Sequence, residues 1–175
     1  MSQMERWDLY DSERRPLFRT HERGKKKNHE EYHTAVEVWT VNSKENILVT
    51  LRDPQKEEYP DKWENTGGSA LTGETSRQAA VRELMEETGI PAAEDDFIFL
   101  GTYRDRNYLE FVDIYLLRCD IPISELTMQA GETVAAKWIT LAQLETMIED
   151  QSLALPIGRR FNDIKKDFLK HFDAI

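Results

Sequence analysis

GSALTGETSRQAAVRELMEETGI, residues 68–90, carries the most informative spacing in the chain. Thr75 followed by Gln78 has the S/T-x-x-E/Q form, in which two side chains cap each other's backbone N–H groups at the start of a helix. Gly89 and Pro91 end it, so the pattern predicts a helix over about 76–88. At about 100° per residue, Glu83, Glu86 and Glu87 stand at i, i+3 and i+4 and share one face. Val81, Leu84, Met85 and Thr88 fall away from that face. Three like charges on one arc repel each other, and such a face calls for cations between them. Carboxylate oxygens suit Mg²⁺ or Mn²⁺, which complete their shells with water and phosphate oxygens. A run of glutamates is by default a solvated surface; here the regular placing of Gly68, Glu74, Arg82 and Gly89 around it argues otherwise. Arg82, four residues before Glu86, can orient a carboxylate with its planar fork and is a scaffold candidate. Glu74, in the loop before the helix, has three open roles: a metal ligand, a group acting through water, or a cap. Gly67 and Gly68 let the backbone approach a ligand closely.

Upstream, His33–Val41 alternates β-branched and aromatic residues, Asn42–Glu45 supplies turn chemistry and Ile47–Leu51 answers as a second strand, predicting a hairpin. The charged segment 53–63, with Pro54 and Pro60, is a loop, and Glu64–Gly68 a short strand ending in a glycine pair. Downstream, 97–103 and 108–117 flank Arg104–Asn107 as another hairpin, and 134–139 is a further strand. Thr140 with Gln143 caps a helix running to about Ile148, and Phe161, Ile164, Phe168, Leu169 and Phe172 mark a closing amphipathic helix. At the other end, Trp7–Arg19 suggests a hairpin turning at Asp11–Arg14, followed by a polar linker. The order predicts an α/β domain, a mixed sheet with helices on its faces, over 32–175, with an N-terminal extension over 1–31.

At 175 residues, the chain is long enough for one domain with a core of its own. A net charge of −10 opposes general binding to duplex nucleic acid, which needs a basic face. The basic run Arg23–Lys27 (RGKKK) is either a solvated loop or a contact for an anionic substrate. Arg52, at a strand end, and Trp63 are candidate substrate contacts, for a phosphate and for a base. The lone Cys119 cannot form an intrachain disulfide, and the charged N-terminal residues carry no apolar secretory core. No run nears the roughly 18 apolar residues of a membrane span. A cytoplasmic protein with no membrane partner is expected.

Residues 68–90 resemble the Nudix box, G-x5-E-x7-R-E-U-x-E-E-x-G-U with U aliphatic, at every defined position. With each fixed letter used roughly once in fifteen residues, a chance match is on the order of one in a million. The resemblance implies the Nudix fold, with its sheet sandwiched between helices, and metal-dependent hydrolysis of a diphosphate linkage in a small molecule of the nucleoside diphosphate-X type. It implies Mg²⁺ or Mn²⁺ held by Glu83, Glu86, Glu87 and a backbone carbonyl, that of Gly67. It also implies a glutamate base, for which Glu83, Glu86 and the loop residue Glu132 are the candidates. A homodimer is compatible with this reading and not required by it.

WDLYD, the 32–54 segment and PDKWENTGGS extend the resemblance over roughly residues 5–150, toward the isopentenyl-diphosphate isomerase-like branch. Isomerases of that kind use a cysteine for carbon proton transfer and hold metal with histidines, one of them two residues after the cysteine. Gly67 and Ser69 occupy those two positions here, and Cys119 lies far along the chain. His33 is the one residue that matches an isomerase histidine. A hydrolase is therefore expected rather than an isomerase. A non-catalytic nucleotide-binding Nudix domain is the remaining alternative, and the intact glutamates speak against it.

Overall fold

The computed structural model describes residues 4–172, so the outermost three residues of the expected extension and of the expected domain lie outside the described part. β1 (Arg6–Tyr10) and β2 (Pro16–Glu22) form a small antiparallel sheet of their own. The main sheet contains β3 (His33–Val41), β4 (Ile47–Arg52), β5 (Trp63–Glu64), β6 (Thr66–Ser69), β7 (Phe97–Asp105), β8 (Glu110–Arg118) and β9 (Thr133–Ile139). The helices are α1 (Ser76–Thr88), α2 (Leu141–Glu149) and α3 (Leu155–Phe172). Both capping boxes are present: Thr75 Oγ1 accepts from Gln78 N at 3.2 Å, and Thr140 Oγ1 from Gln143 N at 3.2 Å.

The central strand β3 is buried along its whole length, and its two-residue period divides the core. Val36 and Val38 face α1, where they meet Ala79, Ala80, Leu84 and Ile90. Ala35, Trp39 and Val41 face α3, where Trp39 meets Phe161 at 5.0 Å and Phe168 at 6.1 Å between ring centroids. Each fully buried side chain of this size contributes roughly 1.5–3 kcal/mol. The sheet is thus mixed and covered by helices on both faces, as expected; β3 runs parallel to β8 and antiparallel to β6.

The expected β3–β4 hairpin is present but short. β3 and β4 share a turn but are in register only at Val41↔Ile47. Beyond it β4 pairs with β9 and β5, while β6 takes the edge of β3 at residues 35–38. Two strands therefore share one edge and diverge, and the gap between them opens beside the glycine pair. A local turn signal can show that two strands meet, but not how long they stay together.

The N-terminal hairpin is fastened to the domain. Arg14, at φ 62°, forks onto Asp113 at 2.7 and 2.6 Å. Tyr10 and Tyr32 exchange backbone hydrogen bonds of 2.8 and 2.9 Å. The basic run divides: Lys25 pairs with Glu22 in solvent, whereas Lys27 is drawn inward, its Nζ 2.8 Å from His33 Nδ1 and from the carbonyls of Tyr108 and Leu109. Burial pushes the Lys27 amine down to about 8. The solvated-loop reading of the run thus fails at Lys27.

Candidate metal and phosphate site

α1 holds the glutamates over the glycine strand. The fully buried Ala79 and Ala80 let the helix lie close to β6 and β3, which brings Glu83, Glu86 and Glu87 to one wall of a cleft of about 610 Å³. A side chain at Gly68 would run into the Glu83 carboxylate, and a Cβ at Gly67 would stand 2.7 Å from the Val36 carbonyl oxygen. The glycine pair is thus what lets strand and helix approach each other. Gly89 closes the helix at φ 73°, its N–H donating to Met85 O at 2.9 Å.

Arg82 organises the wall. Its Nε and Nη2 donate to the two oxygens of Glu74 at 2.8 and 2.9 Å, and Nη1 donates to Glu83 at 2.8 Å and Glu86 at 3.2 Å. Nη2 also donates to the Ser69 carbonyl at 3.0 Å, tying helix to strand. Although burial opposes ionisation of Glu74, Arg82 and the Leu71 N–H hold its carboxyl below its usual range. Of the three roles open to Glu74, the cap belongs instead to Thr75, and the carboxylate serves as the seat of Arg82.

The three helix carboxylates differ in setting. Glu86 is half exposed. Burial pushes Glu83 up to about 7 despite Arg82. Glu87 is buried, with burial and the charges of Glu64 and Glu83 pushing it well above the carboxylate range and the Gly67 N–H opposing them. Glu132, just before β9, reaches the opposite wall and pairs with Lys56. Arg52 lies at the rim, where it donates to Glu64 at 2.7 Å and to the Glu58 carbonyl at 3.1 Å. Trp63 instead packs on the core, with Lys137 Nζ 4.0 Å from its ring centre. Sequence reasoning missed Lys56, Glu64 and the contributions of Glu5 and Trp7 to the cleft; Arg23, in the basic run offered as a contact for an anionic substrate, also lines it. Lys56 lies in a loop without periodicity, and Glu5, Trp7 and Arg23 reach the cleft only because the hairpin folds back. Only the quoted WDLYD segment hinted at Trp7.

Among the described residues, no three acidic or histidine groups are already gathered into a finished metal cage. The donor set nonetheless fits a divalent cation. Glu87 Oε2 is buried with no hydrogen-bond partner, a costly state that a cation beside Glu83 and Glu86 would relieve. A pH prediction follows. The value of Glu83 rises on folding from about 4.5 to about 7, so its contribution to stability is present below pH 4.5 and lost as pH climbs to 7. Melting of the metal-free protein should therefore fall relative to metal-free Glu83→Gln across that window, and added Mg²⁺ should narrow the gap. A difference in Tm that stays constant with pH would contradict this.

The family described as NUDIX domain matches residues 31–157. A Nudix hydrolase of Listeria monocytogenes is 36% identical over 148 residues, 82% of this chain and 85% of the relative. The isopentenyl-diphosphate Delta-isomerase of Escherichia coli is 28% identical over 114 residues, 63% of each chain. The crystal structure of DR0079 from Deinococcus radiodurans superposes with a TM-score of 0.73 over 89% of this chain and 98% of that one, at 21% identity, and so shares the fold. The chain belongs to the Nudix hydrolase family, whose members cleave diphosphate linkages.

Proposed function

We propose that the chain hydrolyses a diphosphate linkage of the nucleoside diphosphate-X type by water attack at phosphorus, using Mg²⁺ or Mn²⁺. The observation that carries this reading is the buried, unpartnered oxygen of Glu87 beside Glu83 and Glu86 in one open cleft. Glu83, Glu86, Glu87 and the Gly67 carbonyl would hold the cation. In an extended strand the N–H and C=O of one residue face the same edge, and the Gly67 N–H already serves Glu87, which supports the carbonyl as a ligand. When bound, the cation would supply neutralisation of phosphate oxygens and acidification of water. The protein's own part is to place the substrate and take a proton. Arg82 keeps Glu83 and Glu86 in position, Lys56 and Arg23 offer positive charge to phosphate oxygens, and Glu83, Glu86 or Glu132 accepts the proton of the attacking water.

The test is a phosphate-release screen of nucleoside di- and triphosphates, nucleotide sugars, dinucleotides and prenyl diphosphates with Mg²⁺ and with Mn²⁺. Turnover on at least one substrate supports the reading; none on any would favour a non-catalytic binding domain. The isomerase alternative draws on the relative from Escherichia coli and on His33, whose Nε2 lies 3.0 Å from Ser69 Oγ and 3.7 Å from Glu110. It lacks the thiol. The Cys119 N–H donates to Val41 O at the far end of β3, whereas Ser69 pairs with Ala35, and burial pushes the Cys119 thiol up. No interconversion of isopentenyl and dimethylallyl diphosphate is expected. Isomer formation abolished in Cys119→Ala would overturn this ranking.

A further inference from the structure

The glycine strand β6 has little of its own to hold it. Gly67 and Gly68 bring no side chains to pack, and glycine inside a strand weakens it. Beyond its pairing with β3, the strand is tied at its end. The Ala70 N–H donates to Thr34 O at 2.9 Å, and Ser69 is gripped twice. Arg82 Nη2, on α1, donates to the Ser69 carbonyl at 3.0 Å, and the Ser69 hydroxyl lies 3.0 Å from His33 Nε2.

His33 is itself fixed on all sides. It is 2% exposed, and Trp7 of the N-terminal hairpin stacks on its ring, 4.2 Å between centroids and 14° between planes. Lys27 Nζ stands 2.8 Å from His33 Nδ1 and 5.8 Å from the centre of the Trp7 ring. An ammonium has only N–H groups to offer, so Nδ1 accepts and the ring proton sits on Nε2. The other two Lys27 donors go to the carbonyls of Tyr108 and Leu109, each at 2.8 Å. Nε2–H therefore donates to Ser69 Oγ, the nearer acceptor, with Glu110 at 3.7 Å. Burial and the Lys27 charge push the ring down to about 3, so it stays a neutral imidazole. A cation bound to this ring would displace one of its two bonds and sit beside the Lys27 ammonium, a like charge.

We propose that His33 is a positioning residue: clamped by Trp7 and Lys27, it fixes Ser69 through the Nε2–H···Oγ bond and so holds the Gly67 carbonyl toward the glutamates of α1. This role rests on the diphosphatase reading for the metal and for Gly67 as its ligand. It gives the N-terminal extension a task in the site, since Trp7 and Lys27 set the tilt and tautomer of the ring that steadies the strand.

The experiment measures Mn²⁺ binding to the metal-free, full-length protein by calorimetry, beside thermal melts. Ser69→Ala should weaken Mn²⁺ binding by at least about tenfold, the usual scale for removing a group that orients a metal ligand. Ser69→Thr, which keeps the hydroxyl, should recover most of that loss. His33→Phe, which keeps a ring against Trp7, should match Ser69→Ala. Because His33 acts through Ser69, the double variant should bind no more weakly than His33→Phe alone. Unchanged binding in Ser69→Ala, whatever its melting temperature, overturns the role, and so does an equal loss in Ser69→Thr. Losses that multiply in the double variant also overturn it, as does a loss confined to His33→Phe, which would make the ring a metal ligand. If His33→Phe does not fold, the two Ser69 variants decide. Absence of Mn²⁺ binding by wild type overturns the metal reading and this role together. Binding by wild type that Ser69→Ala leaves intact overturns this role alone.

Discussion

Glu86→Gln and Glu87→Gln should each lower kcat by at least about 10²-fold, the scale of losing a positioned base or a charge-stabilising group, while the protein stays folded. The two replacements act on different settings. Glu87 is buried, and one of its oxygens has no partner, so its charge is a burden to the metal-free fold. Glutamine keeps the size, offers an oxygen to the Gly67 N–H and removes repulsion from Glu64 and Glu83. The metal-free Tm of this variant should therefore stay level or rise. Glu86 is half exposed and touches Arg82 at 3.2 Å, a contact worth little in water, so its replacement should also leave stability near the wild-type value. Glu94→Gln and Glu145→Gln serve as controls. Glu145 pairs with Lys165 at 2.5 Å on the surface, away from the cleft, and neither control should change turnover appreciably. Steady-state kinetics beside thermal melts would show the pattern of a site: activity lost, stability kept. Comparable turnover in all four variants would make the helix face an ordinary solvated surface.

What could be read from the sequence was what depends on neighbours in the chain. The α1 boundaries, both capping boxes, the Gly89 stop and the β7–β8 hairpin all follow from residues within a few positions of one another. The glutamate face was legible for the same reason, since helical spacing alone decides which side chains share an arc. The early start of α3 at Leu155 was not, because the apolar series marks only the face that meets the sheet. Nor was the splaying of β3 from β4, which is decided by β6 and β9 competing for strand edges. The Glu37–Arg160 contact joins residues 123 apart, and neither position carries a local sign of the other. Glu37 sat unnoticed within an alternating strand. Lys56 and Glu132, 76 apart, meet only because β4 and β9 pair and bring their loops together.

The central claim is that the Glu83, Glu86 and Glu87 face meets a polyanionic substrate through divalent cations, and stripping those cations tests it most directly. Glu5, Glu57, Glu58, Glu83, Glu86, Glu87 and Glu132 line the cleft, against which Arg23, Arg52 and Lys56 are largely committed to Glu5, Glu64 and Glu132. A diphosphate entering without cations would face net negative charge at close range, which is unfavourable by several kcal/mol even at an effective dielectric of about 20. Turnover on the best substrate from the screen should therefore fall to background in excess chelator and return when Mg²⁺ or Mn²⁺ is added beyond it. Undiminished turnover in excess chelator would contradict the account.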